Sequence, residues 1–418
     1  MADAARFKPR KLDYFGNALL ICTVDFPIYC IQAISERHIV IAGGGGSSKT
    51  GVHNQINILE LVPDGDSCAA ELVNKYPIPD EFPDAIMTAA LMKDLPIVET
   101  RLVAGGERLA IYQIDFDQAK RVFNISNYET LNDDLIQSEL KCVRYAAGSI
   151  FAGSMNGQLT VWKRNELSQM QLHKQMKIHT KEIDEIDVDT VNGNILTLSR
   201  GEARVTIYNL RTFRLVKEFK KEFINKSNGN TSQAPGNSMN NVSYNYRSCR
   251  YAISSNSNTK AKTSESVLLV ACNPTPAKAS SKIYKWSATD FKQLACEDVT
   301  SDGIMSITVS SDGQHVAIGT RSGSVSIMEV RNLRKIYNIN AAHHNAVTNL
   351  EFLPSSVESL NLTNSSYCPL LSVSIDRRVI LHRPRKSSPI LSLLKILIMV
   401  IVIYLMFFVL RKYYLSET

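Results

Sequence analysis

The chain lacks most of the patterns that announce an enzyme or a metal protein. Its eight cysteines (Cys22, Cys30, Cys68, Cys142, Cys249, Cys272, Cys296, Cys368) never form a C-x-x-C pair. That excludes a zinc site of the usual spacing and a dense disulfide framework, and leaves reduced, mostly buried thiols. No G-x-S-x-G, H-E-x-x-H or paired-acid signature occurs, so a hydrolase site would have to assemble from residues distant in sequence. A nucleic-acid reader motif is missing too, and a net charge of +7 over 418 residues is only a mild excess, which argues against DNA binding. The apolar run Ala18 to Val24 follows Lys8, Arg10 and Lys11, but no small-x-small site closes it and Asp25 and Pro27 come at once. It reads as a strand, not a signal peptide. With 44% apolar and 21% charged residues, the chain has the composition of a folded protein.

One long hydrophobic run is present, Ile390 to Leu410 (ILSLLKILIMVIVIYLMFFVL). As a helix its 21 residues would be about 31 Å long, the thickness of a hydrocarbon core. Arg377, Arg378, Arg383, Arg385 and Lys386 precede it and only Arg411 and Lys412 follow, so the positive-inside rule places residues 1–385 in the cytosol and 411–418 in the lumen. Sequons at Asn124, Asn225, Asn230, Asn241, Asn361 and Asn364 would then stay unglycosylated.

The rest of the chain repeats itself. An apolar strand ending in small residues, a turn and an alternating strand recur as IVIAGGGG…QINILEL (Ile39 to Leu61), RLVAGGERLAIYQI (Arg101 to Ile114), IFAGSMNGQLTVWK (Ile150 to Lys163), ILTLSRGEARVTIYNL (Ile195 to Leu210), LLVACNPTPAKASSKIYKW (Leu268 to Trp286), VAIGTRSGSVSIMEV (Val316 to Val330) and LLSVSIDRRVILHR (Leu370 to Arg383). Seven such units predict an all-β fold, a seven-bladed β-propeller of the WD-repeat type, because each unit buries its faces only against its neighbours. The last unit leaves no room for an outer strand, and the run near Leu19 to Val24 is expected to supply it and close the ring. The Asn/Ser-rich stretch 225–266 reads as a solvated insertion. His179 and His343 each stand four residues before an apolar strand position, a placement that suits hydrogen bonding inside a blade.

In the first unit the turn is anomalous. GGGGSSKTGVHN, Gly43 to Asn54, holds five glycines in twelve residues, where a blade hairpin ordinarily uses about two to five. It imitates a phosphate loop, but Ser48 takes the place of the second required glycine and a strand follows, so that reading fails. The loop has no Asp or Glu, which disfavours Ca²⁺ or Mg²⁺. It can offer backbone carbonyls, with Gly44 and Gly46 as candidate ligands, and the Asn54 side-chain oxygen, a set suited to K⁺. A flexible glycine turn without a ligand is the other reading.

This loop, the seven units, AHHNAVTNLEFLP late in the chain and the C-terminal apolar run together resemble the endoplasmic-reticulum exchange factors for the COPII small GTPase, the prolactin regulatory element-binding protein family. The resemblance implies a guanine-nucleotide exchange factor, without covalent chemistry, that binds a Sar-family GTPase at the reticulum membrane and starts COPII coat assembly. It implies that Gly43, Gly44, Gly45, Gly46, Lys49, Thr50, Gly51, Val52 and Asn54 form the exchange loop, stabilised by potassium. Asn54 and Val52 are its expected essential side chains, and His343 would border the GTPase. A non-catalytic anchored propeller scaffold is the alternative.

Overall fold

The strand patterns fold into antiparallel sheets, all but one made of consecutive segments of the chain. The structure is a computed structural model. It describes residues 9–385 apart from 13–15, 47–50, 66, 80–85, 93–98, 107, 118–121, 132–137, 166–168, 221–241, 256–263 and 276–278, together with Ile401, Ile403, Tyr404 and Met406.

Among the described residues there are seven sheets, the blades of one propeller. Blade 1 runs Ile28–Ala33, His38–Gly43, Gln55–Asp64 and Ser67–Pro77, from inner to outer strand. Blade 7 takes its inner three strands, Val347–Phe352, Leu370–Ser374 and Arg378–His382, from the end of the ring. Its fourth comes from the beginning. Ala18–Thr23 pairs antiparallel with Arg378–His382, with Ala18 opposite His382 and Thr23 opposite Arg378, so the N-terminal run closes the ring as expected. Arg10–Lys11 adds a short fifth strand outside it.

Each middle strand faces two neighbours. In blade 1, Ile39 and Ile41 join the core shared with blade 7, while Val40 on the same strand joins the core shared with blade 2. In blade 5, Leu268 packs towards blade 4 and Leu269 towards blade 6. This is the period-two alternation of a strand, with both faces apolar because both are covered. Seven buried clusters result, one at each junction between blades.

The expectation for residues 225–266 needs correcting. Ser243–Ser255 is the inner strand of blade 5 and Ser264–Thr275 its second strand. Tyr244, Tyr246, Cys249 and Tyr251 are buried against blade 4, so the polar composition conceals an alternating strand. The expected membrane helix at 390–410 lies outside the described residues except for Ile401, Ile403, Tyr404 and Met406, which are helical and exposed. No helix of the described residues is long and apolar enough to cross a membrane. All eight cysteines are free, and only Cys296 is not buried.

Because the strands of a blade alternate in direction, its connections fall on two opposite faces of the ring. The loop 43–54 and the links between blades lie on one face. First-to-second and third-to-outer turns lie on the other, where the chain leaves the ring at Arg383 to Arg385; Arg383 N–H donates there to the Asn17 carbonyl at 2.6 Å.

Candidate functional site

The glycine loop departs from the second strand of blade 1, where backbone crowding selects its sequence. Gly43 lies opposite Ile28 and Gln55, and a Cβ on it would come within 2.0 Å of the Pro27 carbonyl oxygen. Only glycine lets the segment between closing strand and blade 1 pass this close. Gly44 N–H then donates to the same carbonyl at 3.1 Å. Gly44 has φ +147°, and a Cβ there would meet Asn54 Oδ1 at 2.1 Å.

Asn54 holds the loop base together. It is 9% exposed; its Oδ1 accepts the Gly46 N–H at 2.9 Å and its carbonyl accepts the Ile78 N–H at 2.9 Å. Gly46 sits at φ +67°, so the chain turns back over Asn54. On the return, Gly51 at φ +76° has open space where a Cβ would be. Val52 is half-buried and packs on the cluster between blades 7 and 1. The loop is thus anchored at both ends, while its centre, residues 47–50 with Lys49 and Thr50, lies outside the described residues.

Three polar side chains that sequence reasoning missed stand beside it. Gln55 Nε2 donates to Asp25 Oδ1 at 2.7 Å and Lys75 Nζ to Asp25 Oδ2 at 3.1 Å. Partial burial works to raise the Asp25 carboxyl, but the hydrogen bonds from Lys75 and Gln55 outweigh it and hold the group below the usual carboxylate range. Asp25 stands just before Ile28–Ala33, the inner strand of blade 1, which carries it to Gln55 and Lys75 on the third and outer strands; no local signal marks it. Buried Gln55 Oε1 and Asn57 Oδ1 have no hydrogen-bond partner among the described residues. Neutral oxygens at the foot of the loop, with Asn54 Oδ1, are the donor chemistry a hard monovalent cation takes. Among the described residues no group of three His, Cys, Asp or Glu side chains could hold a metal ion.

His343 stands in the link that leads into Val347–Phe352, on the same face as the loop, with its side chain turned into blade 7. It is 0% exposed. Its Nδ1 faces Asp376 Oδ1 at 3.1 Å and its Nε2 lies 2.7 Å from Ser372 Oγ, which in turn reaches His382 Nε2 at 2.8 Å. His179 has the same place in blade 4, between Glu202 Oε2 at 2.8 Å and Thr197 Oγ1 at 2.9 Å. Both histidines bind a blade together.

No profile of a known protein family matches the chain. It is 23% identical over 425 residues to the guanine nucleotide-exchange factor SEC12 of Rattus norvegicus, covering 90% of this chain and 94% of the relative. The Mus musculus SEC12 is 22% identical over the same shares, and SEC12-like protein 2 of Arabidopsis thaliana is 30% identical over 111 residues, 27% of this chain and 26% of its own. Among solved structures, the WD40 propeller of Doa1 superposes with a TM-score of 0.56 at 12% identity, covering 88% of this chain and 98% of that one. Sqt1 from Chaetomium thermophilum, bound to the N-terminus of ribosomal protein L10, gives 0.54 at 16%, covering 83% and 82%. At these identities the structural likenesses speak for the fold alone.

Proposed function

We propose that this chain, a WD-type propeller homologous to the SEC12 guanine nucleotide-exchange factors, promotes GDP release from a Sar-type small GTPase at the reticulum membrane and so starts COPII coat assembly. The observation that carries the reading is the glycine loop latched at its base by Asn54 in a chain with relatives of that activity along nine-tenths of its length.

Exchange needs no bond made or broken. The factor must bind the nucleotide-free GTPase more tightly than its GDP form, and by linkage it then weakens nucleotide binding by the same factor. An anchored loop serves this because less of the binding energy goes into ordering it. Gly43 to Gly46 and Gly51 to Asn54 hold the two ends at a fixed separation, and Lys49 and Thr50 at the centre would meet the GTPase. K⁺, held by the Gly44 and Gly46 carbonyls and Asn54 Oδ1, would supply a fixed charge that draws those oxygens together. Anchoring through 390–410 would confine activation to the membrane that the GTPase must enter.

The test is GDP release from a Sar-type GTPase by residues 1–385, in KCl and in NaCl, beside Asn54→Ala. We expect acceleration by the wild type and a smaller effect in Na⁺. Asn54→Ala removes the latch, worth about 1–3 kcal/mol, hence about 5- to 150-fold in rate. A folded protein that leaves GDP release unchanged is instead a propeller scaffold.

A further inference from the structure

We propose that the groove between blades 3 and 4, on the face where the chain leaves the ring, seats the phosphorylated headgroup of an anionic membrane lipid; this rests on the anchored reading above. The groove encloses about 690 Å³. Lys163, His173 and Arg211 line it over an apolar floor of Phe151, Val161 and Phe213, and no carboxylate is among its lining residues. All three cationic-type side chains are exposed. Among the described residues neither Lys163 nor Arg211 is paired with an acid.

The walls are fixed. Asn209 Oδ1 accepts the N–H groups of Arg211 and Thr212 at 3.1 and 3.0 Å, which sets the turn that carries Arg211. Asp189, at the start of the opposite turn, is 0% exposed, and its oxygens accept from Val191 N, Asn192 N and Asn192 Nδ2, so its charge is spent inside that turn. The His173 ring lies 5.8 Å from that of Phe213, completing a rim with positive chemistry above and apolar surface below. A phosphomonoester, close to doubly charged at neutral pH, matches that arrangement.

Position selects a lipid over an acidic peptide. The groove opens between the turns at Ala147, Thr190 to Gly193 and Leu210 to Phe213, on the same face as Arg385, five residues before the apolar run at Ile390. Arg214, Arg331 and Arg385 are exposed on that face too. An anionic leaflet attracts such residues, and the glycine loop is left on the opposite side.

Residues 1–385 contain all seven blades and the closing strand, so the ring is complete without the apolar run and can be tested by vesicle flotation. The vesicles are phosphatidylcholine alone, with phosphatidylserine, or with phosphatidylinositol 4-phosphate. We expect strongest binding to the last, none to the first, and at least a tenfold loss in the double variant Lys163→Glu, Arg211→Glu. Lys181→Glu, on the loop face, should bind as wild type, and thermal unfolding checks that all variants fold. Absence of binding to any vesicle, or equal binding by the double variant, overturns the proposal. So does displacement from vesicles by inorganic phosphate as readily as by inositol phosphate, which would mean a free-anion site, or capture of polyglutamate without vesicle binding. GDP release in solution separates the two readings: the double variant should match wild type there, and a wild type that binds vesicles but releases no GDP loses the exchange reading, not this one.

Discussion

Gly44 and Asn54 occupy each other's space, and that contact is the narrowest tolerance in the site. A methyl group on Gly44 would lie 2.1 Å from Asn54 Oδ1 and 2.5 Å from its Cα, so one of them must move. Gly44→Ala should cost about 1–3 kcal/mol locally and reduce GDP release at least as far as Asn54→Ala, while circular dichroism still reports a folded propeller. His382 gives a second test at this scale. Burial, helped by nearby His343, pushes its imidazole down to about 3. The folded chain keeps it neutral, whereas the unfolded chain takes up a proton below about 6.5. Its contribution is therefore complete above about pH 6.5 and declines towards pH 3, by about 1.4 kcal/mol per pH unit. Urea midpoints at pH 7 and pH 5 should show the decline, with a shallower slope in His382→Gln.

The closing strand is the element on which the ring depends. Leu19, Leu20 and Ile21 are all but fully buried, at about 1.5–3 kcal/mol each, a sum comparable with the whole stability of an ordinary domain. Deleting residues 1–23 should therefore abolish cooperative unfolding and produce aggregates on size exclusion, since Arg378–His382 becomes an open edge. This strand was readable from the sequence because the last repeat stops short and an unassigned apolar run stands at the start. The middle strands of all seven blades were readable for a similar reason: buried on both faces, they leave continuous apolar runs before a turn. Ser243–Ser255 was not, because its tyrosines alternate with Asn, Ser and Arg and the composition looks like a linker. At the site, the glycines marked the loop, yet Asn54 proves to be a latch within it. The Pro27 carbonyl and Asp25 left no trace, since their partners Gly44, Gln55 and Lys75 stand on later strands of blade 1, distant in sequence.

At the scale of the molecule, seven apolar junctions carry the ring, and two faces divide its work. Glu185 shows how blades are tied along the inner wall: it accepts from Ser248 Oγ at 2.8 Å, Cys249 N at 2.8 Å and Arg250 Nη1 at 2.9 Å, all from the next blade. Removing it leaves buried donors unsatisfied, and Glu185→Ala should lower stability by about 3–5 kcal/mol, read as an earlier unfolding transition with GDP release at low temperature unchanged.

The Pro27 carbonyl that receives Gly44 lies four residues beyond the closing strand, and that places the loop in time as well as in space. During synthesis Ala18–Thr23 emerges first, but its partner Arg378–His382 is among the last strands made. Pro27, however, stands directly before Ile28, which pairs with Gly43 inside blade 1, so this contact forms with blade 1 itself. A chain halted before Arg378 would keep the base of the loop and lack only the partner of Ala18–Thr23, so the loop is built early and waits on an open ring.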